Sequence, residues 1–406
     1  MLWLSLAWRN VAANRRRSAF VAATVMVAAM ALMLFAGYIQ ATRMGLEYST
    51  VRGGTGHFQI SGNGGFDSYS DAPLEFGLGP DLQMGIQDRS DVMPGVSRTV
   101  PKLSFSGLLS SGPRTLSVAG NGIDPVAENV AFGSRQEIVS GKLLNDGAPE
   151  DGAVLGTELA RRLGVQSGDV VTLITTTIHG GLNAQDLTVW GTVSTGVPQT
   201  DLYLLQIALP AAQRLIATDK VSLISVLLNE GADLQHAMRG ISESAPGLEL
   251  RTWRQLSPMF DQVMSMYNTL FAVFGVFLLW VTTFSIVTLI LTSVLERTRE
   301  VGVLRSLGIS TGKVRLGFVL EALMLGAAGL AAGTAIGFLL ASGLNALDLT
   351  APPPPGRDIG HPFRIVWDWA ATLWIWALVL ALTASAAWLA SSRISRLKVV
   401  NALGAV

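Results

Sequence analysis

The sequence predicts a membrane protein, α-helical with four transmembrane helices, plus a large α+β extracytoplasmic domain between helices 1 and 2. Three observations carry this. Half of the residues (50%) are apolar, only 14% are charged, and the mean hydropathy is +0.43. That is too apolar for a soluble chain of 406 residues and too polar for a chain made only of membrane helices. Four runs free of charge each exceed the roughly 20 residues that cross about 30 Å of hydrocarbon. The Lys and Arg residues cluster beside alternate ends of those runs, although the net charge is zero.

Residues 1–17 form a cytoplasmic leader with Arg9, Arg15, Arg16 and Arg17 and no acid. Read at helical period it is amphipathic: Leu2, Trp3 and Leu6 can face lipid while the arginines meet anionic headgroups. A topology signal alone explains the same residues, and both readings stay open. Residues 18–42 form transmembrane helix 1. The run is too long for a cleaved signal peptide and shows no small-residue cleavage pattern. Lipid offers the backbone no hydrogen-bond partner, so each span must be helical.

Residues 43–257 form the extracytoplasmic (periplasmic) α+β domain. Its clearest unit is 153–175, AVLGTELARRLGVQSGDVVTLIT. A short strand ends at Gly156, Thr157 caps a helix through Leu163, Gln166–Asp169 turn the chain, and VVTLIT is a β-branched strand. Residues 187–193 and 221–228 read as strands, 210–217 as a short helix, and 53–85 as loops. The mixture is α+β.

Residues 258–295 form a stalk and transmembrane helix 2. Ser257-Pro258 reads as a helix start, with proline at the first helical position. The charge-free run 262–295 holds 34 residues, roughly 50 Å at about 1.5 Å per residue, longer than a bilayer core. A continuous rod and a short juxtamembrane helix followed by a break both fit. Residues 296–315 then form a cytoplasmic coupling helix, ERTREVGVLRSLGIS and its continuation. Glu296 and Glu300 lie four apart among Arg297, Arg299 and Arg305, and Gly302 and Gly308 admit a close backbone. A short charged helix tied to two membrane helices is a handle.

Transmembrane helix 3 is placed at 316–345, an extracytoplasmic loop at 346–367, transmembrane helix 4 at 368–392 and a cytoplasmic tail at 393–406. The tail carries Arg393, Arg396 and Lys398, and the loop after helix 2 adds Lys313 and Arg315. The 346–367 loop holds only Arg357 and Arg364 against Asp348 and Asp358, with Asp368 just beyond it. Both termini and the handle are therefore expected in the cytoplasm. Pro352–Pro355 make a stiff connector.

No catalytic motif is convincing. Gly312-Lys313 lacks the glycine five places earlier and is followed by Val314, so there is no phosphate loop. His57, His179, His236 and His361 are scattered, and HExxH is absent. The absence of cysteine excludes disulfides and thiolate chemistry. Gly308-Ile309-Ser310-Thr311-Gly312 matches GxSxG but follows a helical handle instead of a strand, so it is a chance match. Glu321, inside helix 3, is expected to snorkel or to pair with Arg305, Lys313 or Arg315.

Two apolar stripes stand out: Met26, Met30 and Met33 on helix 1, and Phe271, Phe274, Leu278 and Val281 on helix 2. They are either a pliable wall for a hydrophobic substrate or ordinary packing. Gly326, Gly329, Gly333 and Gly337 on helix 3 include a doubled GxxxG, a close helix–helix seam.

The handle, followed by Glu321 and the glycine-rich span, resembles the shared C-terminal module of FtsX-like and MacB-like ABC transporter permeases. The tail SSRISRLKVVNAL resembles that module's ending, and the leader AWRNVAANRRRSAF its start. LGTELARRLGVQSGDVVTL and VWGTVSTGVPQTDLYLLQIALPAAQRLI look closer still to the LolC/LolE lipoprotein-releasing branch. The resemblance weakens over about 60–150.

The resemblance implies a type VII architecture working by mechanotransmission in the bacterial cytoplasmic (inner) membrane. Two permeases, identical or homologous, flank a cavity, and two copies of a separate ATP-binding cassette ATPase grip the handles. The chain then has no ATPase site and no cofactor of its own, and ATP and Mg belong to the partner. It implies ATPase coupling through Glu296, Arg297, Arg299, Glu300, Gly302, Arg305 and Gly308. It implies a cavity lined by Met30, Met33, Phe35, Phe271, Phe274 and Leu278, which receives a lipid or lipoprotein. A periplasmic partner is also expected. An FtsX-like regulator of an external cell-wall hydrolase is the alternative.

Overall fold

A computed structural model describes residues 15–66, 74, 76–132, 137–145, 147–351 and 361–392. Most of the leader, the tail beyond 392 and Pro352–Pro355 lie outside the described residues. The chain divides into a helical unit and a sheet unit.

Helix α1 spans Arg15–Thr50, longer than the expected 18–42 at both ends. The charge-free run marks only its apolar part, and the helix continues through Arg43 and Glu47. A π-helical turn, Val51–Thr55, follows.

The sheet unit then contains β1 (Phe58–Gly62), α2 (Pro80–Val92), β2 (Val96–Ser110), β3 (Thr115–Ile123), α3 (Pro125–Phe132), β4 (Glu137–Gly141) and β5 (Gly152–Gly156). It continues with α4 (Thr157–Leu163), β6 (Val170–Thr176), β7 (Leu182–Ser194), β8 (Leu204–Ala208), α5 (Leu209–Ile216), β9 (Leu223–Leu228), α6 (Leu234–Ser244) and β10 (Leu248–Thr252). The stretch 53–85, read as loops, holds β1 and the start of α2. Its sparse apolar residues hid a strand whose Phe58 and Ile60 are fully buried.

The ten strands run β10-β1-β9-β2-β3-β8-β5-β7-β4, and β6 pairs with both β2 and β7. The order β2-β3-β8-β5-β7-β6 therefore closes on itself as a ring. Strand β2 makes this possible by its length of 15 residues. Its first half, Val96–Lys102, pairs with β9, and its last residues, Gly107–Ser110, pair with β6. Inside the ring Leu103, Leu109, Leu155, Leu173, Leu187 and Leu205 are fully buried. Beyond it, β10-β1-β9 carries a second core of Phe58, Ile60, Val226, Ile86 of α2 and Ile241 of α6.

The 153–175 segment forms its strand–helix–strand as expected. Gly164 ends α4 at φ 73°, its N–H bonded to Ala160 O, a left-handed cap that glycine takes without strain. Thr157 Oγ1 donates to Val193 O at 2.9 Å instead of capping. Asp201 is buried and accepts from Ser194 Oγ, Thr195 N and Thr195 Oγ1 at 3.0, 2.9 and 2.6 Å. A Cβ at Gly156 would strike the Asp201 carbonyl. The two motifs LGTELARRLG and STGVPQTD are thus packed on each other.

The helical unit adds α7 (Pro258–Glu296), α8 (Thr298–Ser306), α9 (Thr311–Ala346) and α10 (Trp369–Ala390) to α1. Four of its helices, α1, α7, α9 and α10, are long and apolar enough to cross a membrane. Helix α7 is one element of 39 residues, so the rod reading describes it. Helix α9 begins at Thr311 instead of 316, because the handle is only nine residues long and turns at Leu307–Ser310.

The glycines of α9 make the seam with α1. A Cβ at Gly329 would lie 2.6 Å from Ala22 O, and one at Gly333 2.7 Å from Met26 O. Gly326 faces Thr383 of α10, and Gly337 faces Met30 and Trp367. Without a hydrophobic drive between helices in lipid, such close contact is what holds them. We expect Gly333→Val to cost about 1–3 kcal/mol by overpacking. It should lower the unfolding midpoint in detergent, whereas Gly343→Val, with open space around it, should not. Equal midpoints would show that the seam is not close-packed.

Candidate functional site

Helix α7 ends where Arg297 leaves helical geometry at φ −102°, ψ 17°. Thr298 Oγ1 bonds Leu295 O at 2.8 Å across the break. Helix α8 ends at Ser306, and Gly308, with a φ of 84°, turns the chain back. Ile309 N bonds Leu304 O at 3.2 Å, and Ser310 stands at the head of α9. The GxSxG match therefore lies in a helix–turn–helix corner.

The two faces of α8 differ. Val301 and Gly302 are buried, and Val301 packs with Val314 and Phe318 of α9. Glu296, Arg299, Glu300, Val303 and Ser306 are exposed, and Leu307 is 74% exposed. An exposed leucine and valine thus stand among charges on the outer face of α8. Sequence reasoning named the charges and missed Val303 and Leu307. Their spacing of four on the face opposite Val301 was the available signal.

Beneath α8 lies an ion pair. Arg297 Nη1 is 3.4 Å from Glu321 Oε2, and their side chains are only 15% and 6% exposed. Arg297 Nε also approaches Glu300 Oε2 at 3.7 Å. Arg297, which the sequence reading did not name for this role, is thus a partner of Glu321. With α9 starting at Thr311, Lys313 and Arg315 stand on the same helix as Glu321, eight and six residues away. Arg315 donates to Ser392 O at 3.1 Å and lies over the Trp388 ring at 5.6 Å. Arg305 is half-buried.

The expected cavity residues divide. Phe35 stacks on Phe271 at 5.6 Å and meets Phe274 edge-on at 6.4 Å. Leu278 and Phe271 pack against the bundle core, while Phe274 is exposed. Met33 is buried within the chain's own bundle, where Thr334 Oγ1 donates to its sulfur at 3.5 Å. Trp376 Nε1 in turn donates to Thr334 Oγ1 at 3.0 Å. Met30 is half-buried beside Gly337. The structure thus gathers Phe35, Phe271 and Phe274 and turns Met33 toward α9. The exposed stripe of α7 continues through Phe277, Trp280 and Phe284, with Trp280 stacked on Phe284 at 6.0 Å. The sequence reading stopped at Val281.

Among the described residues no three His, Asp or Glu side chains gather as a metal site. His57 Nδ1 accepts from Leu228 N at 3.0 Å. Burial, and then the Arg52 charge, hold its imidazole below the ordinary value. It is a neutral structural histidine.

Breaking a buried pair strands a charge, at about 3–5 kcal/mol. Glu321→Gln and Arg297→Met should each lower stability by that order. The double variant Arg297→Met, Glu321→Met should recover most of the loss, read by thermal unfolding in detergent. Additive losses would mean that the two groups do not depend on each other.

A family model described as MacB-like periplasmic core domain matches residues 18–244. A second, described as FtsX-like permease C-terminal, matches residues 272–399. The chain is 26% identical over 256 residues to the lipoprotein-releasing system transmembrane protein LolC of Neisseria meningitidis serogroup B, covering 61% of each. It is 22% identical over 267 residues to the corresponding LolE protein of Haemophilus influenzae, covering 64% of each. The match spans less than two thirds of either relative's length. Among solved structures, the periplasmic region of MacB from Actinobacillus actinomycetemcomitans is similar at TM-score 0.37 and 15% identity. That match covers 52% of this chain and 95% of the other. The extracellular domain of the noncanonic ABC-type transporter YknZ from Gram-positive bacteria gives TM-score 0.35 and 13% identity, covering 48% and 99%.

Proposed function

We infer the function from one premise: this chain belongs to the family of FtsX-like and MacB-like permeases. It is an ABC transporter permease subunit of the inner membrane, driven by a separate ATPase that carries ATP and Mg²⁺. The observation that carries this is the two-faced handle: α8 rests on α9 through Val301 and offers Leu307, Val303, Arg299 and Glu300 outward. Both termini and the handle face the cytoplasm, and the sheet unit faces the periplasm. The Lys and Arg distribution supports this orientation.

The substrate is a lipoprotein or another lipid-anchored molecule, extracted from the outer face of the membrane. The likeness to LolC and LolE supports this, as does the exposed aromatic stripe of α7 with Phe35, Phe271 and Phe274. An acyl tail leaving bilayer for protein changes little apolar contact with water, so the coefficient of about 25 cal/mol per Å² gives no net drive. Extraction therefore requires work from ATP. Two permeases, identical or homologous, enclose the tail, and two ATPase copies grip the two handles.

Two outcomes test the reading. In this cysteine-free chain, an impermeant thiol reagent on spheroplasts should label Ser167→Cys and spare Ser310→Cys; the reverse pattern overturns the orientation. In the purified complex, Leu307→Asp should weaken ATPase binding by at least tenfold, a loss of about 1.4 kcal/mol or more. Wild-type binding would remove the handle from the interface. A cell-wall hydrolase retained in place of lipid would move the function to transmembrane regulation.

A further inference from the structure

Where α1 ends, the chain does not use an ordinary cap. Gly56 N bonds back to Val51 O at 3.0 Å, a wide π-type turn, and Gly54 sits inside it at φ 107°, ψ −6°. That conformation is open to glycine, and π-turns concentrate at functional sites. A Cβ at 54 would also lie 2.8 Å from the Lys102 ammonium.

The turn presents the Gly54 carbonyl to two donors from adjacent strands. Lys102 Nζ of β2 reaches it at 2.8 Å, and Ser225 Oγ of β9 at 3.1 Å. Lys102 also binds Glu128 Oε1 of α3 at 2.8 Å and lies 5.0 Å from the centre of the Phe132 ring. The side chains of Lys102 and Glu128 are 14% and 19% exposed. Arg52 Nη1 closes the circuit by donating to Ala131 O of α3 at 2.8 Å. One residue further, His57 N bonds Val226 O at 2.8 Å, and the chain enters β1. Helix end, β2 and β9 are thus tied at a single carbonyl, and α3 joins them through Lys102 and Arg52.

A backbone cap would satisfy a helix end without burying a charge. A desolvated ammonium costs free energy unless it is paired and hydrogen-bonded, as this one is. What the charged arrangement adds is a tie between elements that are distant in sequence.

We propose that the Lys102–Gly54–Ser225 junction is a mechanical latch that makes the last turn of α1 and the sheet a single rigid body, with Lys102 as its positioning residue. A displacement of that last turn then reaches the sheet undamped. The proposal rests on the transport reading only for where the displacement comes from; the rigidity of the junction is independent of it.

The test uses the full chain in lipid nanodiscs. Spin labels at Gly45→Cys, where added atoms meet nothing within 4 Å, and at exposed Ser117→Cys on β3 report the junction. We expect one narrow distance in the parent chain, unchanged by nucleotide in the complex with its ATPase. Lys102→Met should at least double the width of that distance. It should also raise amide exchange over 51–57 at least tenfold while leaving β5 and β7 as they were. Lys102→Arg should keep the narrow distance, and Ser225→Ala should raise exchange to a smaller degree. In the complex, Lys102→Met should keep ATP hydrolysis and lose at least fivefold in substrate release.

Unchanged width and exchange in Lys102→Met and Ser225→Ala overturn the latch. So does exchange that rises equally in β5 and β7, which marks simple destabilisation. If Lys102→Met does not fold, Ser225→Ala decides by the same measures. A parent chain that binds no ATPase would overturn the transport reading and leave the nucleotide-free label and exchange results to judge the latch.

Discussion

The close approach of two backbones at Gly329 and Gly333 is the constraint on which the helical unit depends. In lipid, apolar side chains gain nothing from leaving water, so helices are held by contact and by polar groups that find partners. The carbonyls of Ala22 and Met26 occupy space that any side chain on those glycines would fill. That contact sets α1 against α9. It brings Met33 under Thr334 and lets Trp376 of α10 complete a chain of polar contacts. With α1 fixed on α9, Phe35 is left on its other side to stack on Phe271.

The other end of the helical unit is governed by charge. Arg297 and Glu321 are too buried to be separated cheaply, and they join the start of α8 to α9. Val301 adds apolar contact on the same face. A force on the exposed side of α8 is therefore delivered to α9 as well as to α7. The handle is stiff because its underside is paired, and available because none of the described residues covers its upper side.

The features legible in the sequence are those with local causes. A membrane helix must be apolar over its own length, so the four spans were readable, although their ends were not: α1 carries Arg43 and Glu47 before it stops. The unit around Thr157 was readable because Gly164 and Gly168 mark its turns. Partner choice was not readable. Arg297 meets Glu321 because α8 folds back, and no spacing along the chain records that. The closed ring was hidden for the same reason: Ser110 of β2 pairs with Thr172 of β6, far along the chain. Gly53 and Gly54 opened the stretch read as loops, whereas Gly54 supplies a carbonyl gripped from two strands.

The shared strand β2 also bears on how the chain is made. Val96–Lys102 pairs with β9 at Leu223–Leu228, and β1 pairs with β9 and β10. Pairings so distant in sequence close late, because loop closure must precede any gain from contact. Until β9 has been synthesised, β1 and the first half of β2 stand as open edges, able to add a strand from another chain. The last strands to arrive are followed within six residues by α7, which starts at Pro258. Completion of the sheet and insertion of the second membrane helix are thus nearly simultaneous events, and a pause in translation just before β9 would leave the nascent domain at its most aggregation-prone.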